Sequence, residues 1–152
     1  DRVLAALVAA DEVVVAGPAT PTDRLVRFVR EDPPSGGPVA GVLAGRRALQ
    51  RPASLLAVVA VDMPLLTPDT LARLCRAVPG HDGAVLVDDS GRRHLAACLR
   101  VDRLDAEAPP GTGHGQSWRS LLAPLDLAEV TAVDGEERDV DTWADLGDAD
   151  PA

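Results

Sequence analysis

Lysine is missing from this 152-residue chain: all fifteen basic residues are Arg. Tyrosine is missing as well, and one Phe and two Trp are the only aromatics, so a core has to be assembled from Ala, Val and Leu. Two cysteines, Cys75 and Cys98, stand at no metal-ligand spacing and read as ordinary half-buried thiols, one on a helix and one on a strand. No apolar run approaches the ~20 residues that span a bilayer, and no basic-then-apolar leader opens the chain, so the expected residence is cytoplasmic. Positive charge is in short supply. A formal net charge of -9 excludes wholesale binding to nucleic acid or to an anionic membrane, and an anionic ligand has to be met by local groups.

Hydrophobic residues reach 46%, which at this length supports one core, and residues 1–152 are read as a single domain. Apolar positions at helical spacing run over residues 3–10 and are under way by Leu4, although the first residue is Asp1. The chain therefore reads as beginning in mid-domain. A β-branched strand at 13–15 follows, then a short strand within 25–30. Residues 31–38, Glu-Asp-Pro-Pro-Ser-Gly-Gly-Pro, force a loop, and Pro38 suits the first turn of a helix over 39–49. The most apolar run, 55–61, predicts a strand covered on both faces. Thr67-Pro68-Asp69 caps a helix to about residue 77.

Strands at 84–87 and 95–99 flank a turn-like centre, and a short helix spans about 101–106. Residues 109–115, rich in Pro and Gly, are the best candidate for a flexible loop. Ser117 caps a helix to 122, a strand covers 128–133, and a last short helix ends near 146. This alternation predicts an α/β domain of three layers, a mostly parallel sheet with helices on both faces. Ligands of such sheets bind outside the carboxyl ends of the strands.

Asp62 lies at that rim, at the end of the most hydrophobic strand, where Met63-Pro64 turns the backbone away. An exposed carboxylate there suits Mg²⁺, although it could also merely end the strand in water. Gly36-Gly37-Pro38-Val39-Ala40-Gly41 opens a helix, where small residues and free N–H groups admit a phosphate or base; a purely structural glycine turn is the alternative. It is not a P-loop, since no Lys-Ser follows. Asp32, just upstream, could accept hydrogen bonds from a base edge or sugar, or simply face solvent. Asp139 and Asp141 flank Val140 and would point to one side of an extended backbone, completing a metal site with Asp62 or capping the last helix. His94 beside Arg92 and Arg93 could meet an anionic substrate, as could Arg119 from its helix. His81, His94 and His114 show no ligand spacing, and Ser117 has no hydrolase partners.

Taken together, the acidic loop ending Asp32-Pro33-Pro34-Ser35-Gly36-Gly37-Pro38-Val39-Ala40-Gly41, the strand ending Val61-Asp62-Met63-Pro64, and Asp139-Val140-Asp141-Thr142 resemble the molybdenum cofactor guanylyltransferases, a MobA-like nucleotidyltransferase family. The resemblance implies a Rossmann-like fold of the nucleotide-diphospho-sugar transferase type. It also implies GTP as cosubstrate, Mg²⁺ as cofactor, molybdopterin as acceptor and other molybdenum cofactor biosynthesis proteins as partners. By resemblance, Asp32 and the turn with Gly36, Gly37, Pro38 and Gly41 bind the nucleotide, Asp62 is the catalytic metal ligand, and Asp139 and Asp141 lie near the pterin or metal. Trp143 stands where the family commonly has Pro. The family opens with a strand and a Gly-rich loop carrying Arg and Lys, which this sequence lacks, so little transferase activity is expected of residues 1–152 alone. The alternatives are a sister enzyme using CTP or another phosphorylated acceptor, such as phospholactate, and a non-catalytic nucleotide-binding relative.

Overall fold

A computed structural model describes residues 2–139; Asp141 and the last short helix expected near residue 146 lie outside that range. Helix and strand alternate in the order α1 (Arg2–Ala6), β1 (Val14–Ala16), β2 (Arg27–Val29), α2 (Pro38–Ala48), β3 (Leu55–Val59), α3 (Pro68–Ala77), β4 (Gly83–Val87), β5 (Arg93–Arg100), α4 (Val101–Glu107), α5 (Trp118–Leu122) and β6 (Leu127–Thr131). The first helix is shorter than its apolar pattern, because residues 7–9 continue as turns while Leu7 stays in the core.

The main sheet has the order β3-β5-β4-β6, and β1 and β2 pair as a separate parallel ribbon. In the main sheet β4 and β6 are parallel, and β5 runs antiparallel to both β3 and β4. Strands β3, β4 and β6 therefore share one direction, as the alternation implied, and β5 is the exception. Its reversal is local in origin: only a tight turn separates β4 from β5, and a connection that short can join only antiparallel neighbours.

Side chains of β4 and β5 alternate between two cores. Val85, Val87, Ala97 and Leu99 meet Leu43 of α2, Leu104 of α4 and Leu121 and Leu122 of α5. On the other face Ala84, Leu86, Ala96 and Cys98 meet Leu71 and Leu74 of α3, Ala6 of α1 and Met63. This period of two, fed by aliphatic residues, makes the three layers. The strand buried along its whole length is β4. The run 55–61 is also covered on both faces, Leu56 and Val58 against the first core and Ala57 and Val59 against the second, but β3 stops at Val59 and forms an edge of the main sheet, leaving Leu55 38% and Val61 76% exposed. Apolarity alone does not distinguish an edge strand from a central one; the neighbours on either side decide it.

Gly83 shows how tightly β4 is held. A Cβ built there would come within 2.8 Å of the Cys98 carbonyl oxygen and 2.8 Å of Leu99 Cδ2, with Leu127 Cδ2 at 3.1 Å. The carbonyl belongs to the neighbouring strand and cannot swing aside. Gly83→Ala is expected to lower stability by about 2 kcal/mol through overpacking, read as a reduced urea midpoint at unchanged m-value.

Candidate active site

A cavity of about 990 Å³ opens at the carboxyl end of β3, with Ala60 and Asp62 on its wall. Pro38 at the start of α2, the β4–β5 turn from Ser90 to His94, and Ser117, Trp118 and Arg119 at the start of α5 enclose it, and Asp139 completes the rim. Asp62 is held there by its neighbour. Met63 is fully buried in the second core and pins the backbone, while the Asp62 side chain remains exposed.

The β4–β5 turn is organised by Asp88. Its Oδ1 accepts from Ser90 N at 2.9 Å, Ser90 Oγ at 2.6 Å and Arg92 N at 3.1 Å, and its Oδ2 lies 3.0 Å from Nε2 of His94. The Ser90 hydroxyl and then His94 hold the Asp88 carboxyl well below the usual carboxylate range, so it stays ionised. Trp118 joins this turn to α5 by donating its indole N–H to the His94 carbonyl at 2.9 Å. Arg93 is occupied by Glu129, at 3.1 and 3.0 Å. Arg92 and Arg119 are exposed, and among the described residues no ion pair engages either guanidinium. Two cations thus remain available where the net charge of the chain is strongly negative.

Asp139 reaches the rim through a buried knot. Glu136, 4% exposed, accepts from the Thr70 hydroxyl, from Arg73 Nη2 and from Val133 N at 3.1 Å. Thr70 also closes the capping box of α3, receiving Thr67 N at 3.0 Å and giving its own N–H to Thr67 Oγ1 at 3.1 Å. Since the Thr70 proton goes to Glu136, the Thr67 hydroxyl donates to Thr70 Oγ1, 3.0 Å away. Arg73 adds a hydrogen bond to the Thr131 carbonyl at 3.0 Å, so the segment leaving β6 is tied to α3 at several points. Within this knot the sequence marked Thr67 as the helix cap but not Thr70, Arg73 or Glu136. Glu136 sits in a charged turn that looks solvated, and its partners lie on a helix far back in the chain.

The structure brings Pro38, Asp62 and Asp139 together on the cavity lining, with His94, Arg92, Arg93 and Arg119 beside them, and does not bring Asp32, Gly36, Gly37 or Gly41 to it; Asp141 lies outside the described residues. Asp32 is exposed on its loop. Gly36 is buried where a Cβ would collide with Ala40 Cβ at 2.6 Å and His114 Nδ1 at 3.0 Å, and its carbonyl accepts from Gly115 N at 2.8 Å. Gly37 is the N-cap of α2 with φ of 85°, and no side chain caps that helix. Gly41 faces β1, with Ala16 Cβ 3.5 Å from the place of its absent Cβ. The loop at 109–115, expected to be loose, is docked on α2: Gly113 packs so close to Val39 and Leu43 that a Cβ would meet them at 2.8 and 3.0 Å. Among the described residues no cluster of three or more His, Cys, Asp or Glu could hold a metal by itself. Asp62 and Asp139 share the cavity as a pair, and one or two carboxylates completed by phosphate oxygens and water is the donor set Mg²⁺ usually takes.

Burial pushes the Glu136 carboxyl up, but hydrogen bonds from Arg73 and Thr70 outweigh it and leave its pKa below the ordinary 4.5. A depressed carboxylate contributes stability that is complete above the unfolded value and fades as pH falls through the folded one. Glu136→Ala is expected to cost about 3 kcal/mol, or roughly 10 °C in melting temperature, because it leaves the buried Thr70 hydroxyl and the Val133 N–H without their acceptor and takes from Arg73 its closest partner. Melting curves recorded below pH 4.5 will show the wild type losing stability faster than Glu136→Gln on acidification.

Residues 1–131 match the sequence pattern of the MobA-like NTP transferase domain. A probable molybdenum cofactor guanylyltransferase from Mycobacterium avium is 30% identical over 143 residues, covering 88% of this chain and 70% of the relative. One from Mycobacterium tuberculosis is 38% identical over 123 residues, covering 79% of this chain and 60% of the relative. The chain thus spans between three-fifths and seven-tenths of these proteins. Among solved structures, molybdopterin-guanine dinucleotide biosynthesis protein A from Archaeoglobus fulgidus superposes with a TM-score of 0.59 at 20% identity, over 82% of this chain and 66% of that one, a likeness of fold.

Proposed function

Because the chain belongs to the family of MobA-like NTP transferase domains, we propose that it carries a guanylyltransferase site, of the kind that moves GMP from GTP to molybdopterin in the cytoplasm. The observation that supports this reading is the shared cavity: a carboxylate at the carboxyl end of β3, the opening of α2, a second carboxylate and two available arginines face one space.

In the proposed reaction an oxygen of the pterin phosphate forms a bond to the α-phosphorus of GTP, the bond from that phosphorus to its bridging oxygen breaks, and pyrophosphate leaves. Such transfers depend on alignment and charge neutralisation more than on covalent help. Asp62 and Asp139, together with Asp141, are the residues that would hold Mg²⁺, which when bound supplies charge neutralisation at the phosphates. Pro38 and the uncapped start of α2 at Gly37, which offers N–H donors, are assigned to the nucleotide side, while Gly36 and Gly41 shape the turn and helix behind them and Asp32 lies upstream on the same loop. Arg92 and Arg119 face the same cavity from the other side and would clamp the acceptor phosphate. Their guanidinium forks fit phosphate oxygens. Asp88 and Trp118 hold the turn and α5 at a fixed separation, which keeps both arginines in place.

Titration calorimetry with GTP and with CTP, each with Mg²⁺, tests the nucleotide; binding of CTP in preference to GTP would move the assignment to a sister enzyme, and GTP binding without any pyrophosphate release to a non-catalytic nucleotide-binding relative. In the full-length protein Asp62→Asn is expected to lower pyrophosphate release about 100-fold, the scale of losing one electrostatic contributor at a reacting phosphate. Arg119→Ala is expected to raise KM for the pterin roughly tenfold while leaving GTP affinity unchanged. A loss of GTP affinity instead would place Arg119 on the nucleotide.

A further inference from the structure

Cys75 and Cys98 lie far from the proposed reaction, yet the fold sets their Sγ atoms 3.0 Å apart. The approach comes from the layer packing. Cys98 is on the α3 face of β5 and is buried, and Cys75, half-buried, looks down on it from the last turn of α3. Cys75 also lines a cavity of about 680 Å³ on the far edge of the sheet, which gives it a route to solvent that Cys98 lacks. Burial and then the neighbouring Cys75 push the Cys98 thiol up, so it is protonated and inert on its own. The two thiols therefore differ in role. One is reachable and the other waits behind it.

We infer that Cys75 and Cys98 are a thiol pair that closes to an intramolecular disulfide by exchange with a low-molecular-weight disulfide, Cys75 being the attacking thiol and Cys98 the resolving one. In the first step the Cys75 thiolate bonds to one sulfur of the external disulfide, whose S–S bond breaks; the departing thiolate takes a proton from solvent. In the second, Cys98 gives up its proton and its sulfur bonds to Cys75 Sγ, expelling the remaining thiolate, which is protonated in turn. Two protein thiols are oxidised by two electrons, and one external disulfide is reduced to two thiols. The protein sulfurs close by about 1 Å to reach the ~2.05 Å bond, a movement within reach of rotation about the Cys75 side chain. The product staples α3 to β5 across the second core, constraining the unfolded chain between them and leaving the distant cavity untouched.

The test is incubation of the folded full chain with glutathione disulfide, followed by intact-mass measurement and trypsin digestion without reductant. The expected product has lost two hydrogens and yields the peptide Leu74-Cys75-Arg76 linked to residues 94–100. Its melting temperature rises by roughly 5–10 °C, and dithiothreitol reverses the rise. In Cys98→Ala, folding being checked by circular dichroism, a glutathione adduct on Cys75 is expected to accumulate, because nothing resolves it. Stable glutathione adducts on the wild-type protein, or two thiols that remain free in it, would overturn the inference, as would a folded Cys98→Ala that takes up no adduct.

Discussion

The buried carboxylate of Glu136 is the constraint from which the geometry of the candidate site follows. It is one of the few charged groups removed from water, and it is matched there by Arg73, by the Thr70 hydroxyl and by a backbone N–H. A charge so placed tolerates only one arrangement of its partners, since any partner that drifts leaves a desolvated group behind. The same Thr70 completes the cap of α3, so the start of that helix and the path of the chain after β6 are fixed by one set of hydrogen bonds. Asp139 follows three residues on, just past the turn that holds Glu136. Its presence with Asp62 on the cavity lining is a consequence of that knot as much as of its own chemistry.

A second constraint acts through packing. The interior is aliphatic and divided by β4 and β5 into two cores, and the elements that bear the cavity hang from different ones. Met63 anchors the Asp62 turn in the α3 core, whereas Val39 anchors the opening of α2, and Trp118 that of α5, in the other. The cavity opens where these layers part at the end of the sheet. With so few cations in the chain, the pair left unengaged at Arg92 and Arg119 gives that opening its capacity for an anionic ligand.

Much of this was legible in order along the chain, because the signals are local. The cap at Thr67, the Pro at the head of α2 and the abrupt end of an apolar run at Asp62-Met63-Pro64 each act within a few residues. What escaped was the part written across the chain. Glu136 lies 66 positions from Thr70, and nothing near it announces burial. The two cysteines are 23 apart on unlike elements, and only the stacking of α3 on β5 makes them neighbours. The place of the 55–59 strand at the edge of the sheet was hidden for the same reason: strand order is set by distant pairing. At 109–115 glycine suggested looseness where it permits close contact with α2. Among the candidate residues, Pro38, Asp62 and Asp139 came together, while Asp32, Gly36 and Gly41 serve the loop and helix beside the cavity.

The central claim is that Asp62 and Asp139 converge on one cation-binding cavity at the carboxyl end of β3. Titration of the isotopically labelled protein with Mn²⁺, followed by the paramagnetic broadening of its amide resonances, measures this directly. The account predicts that the signals of Asp62, Asp139 and the Arg92–His94 turn broaden first and together. Early broadening confined to other acidic surfaces, with those resonances unaffected, would contradict it.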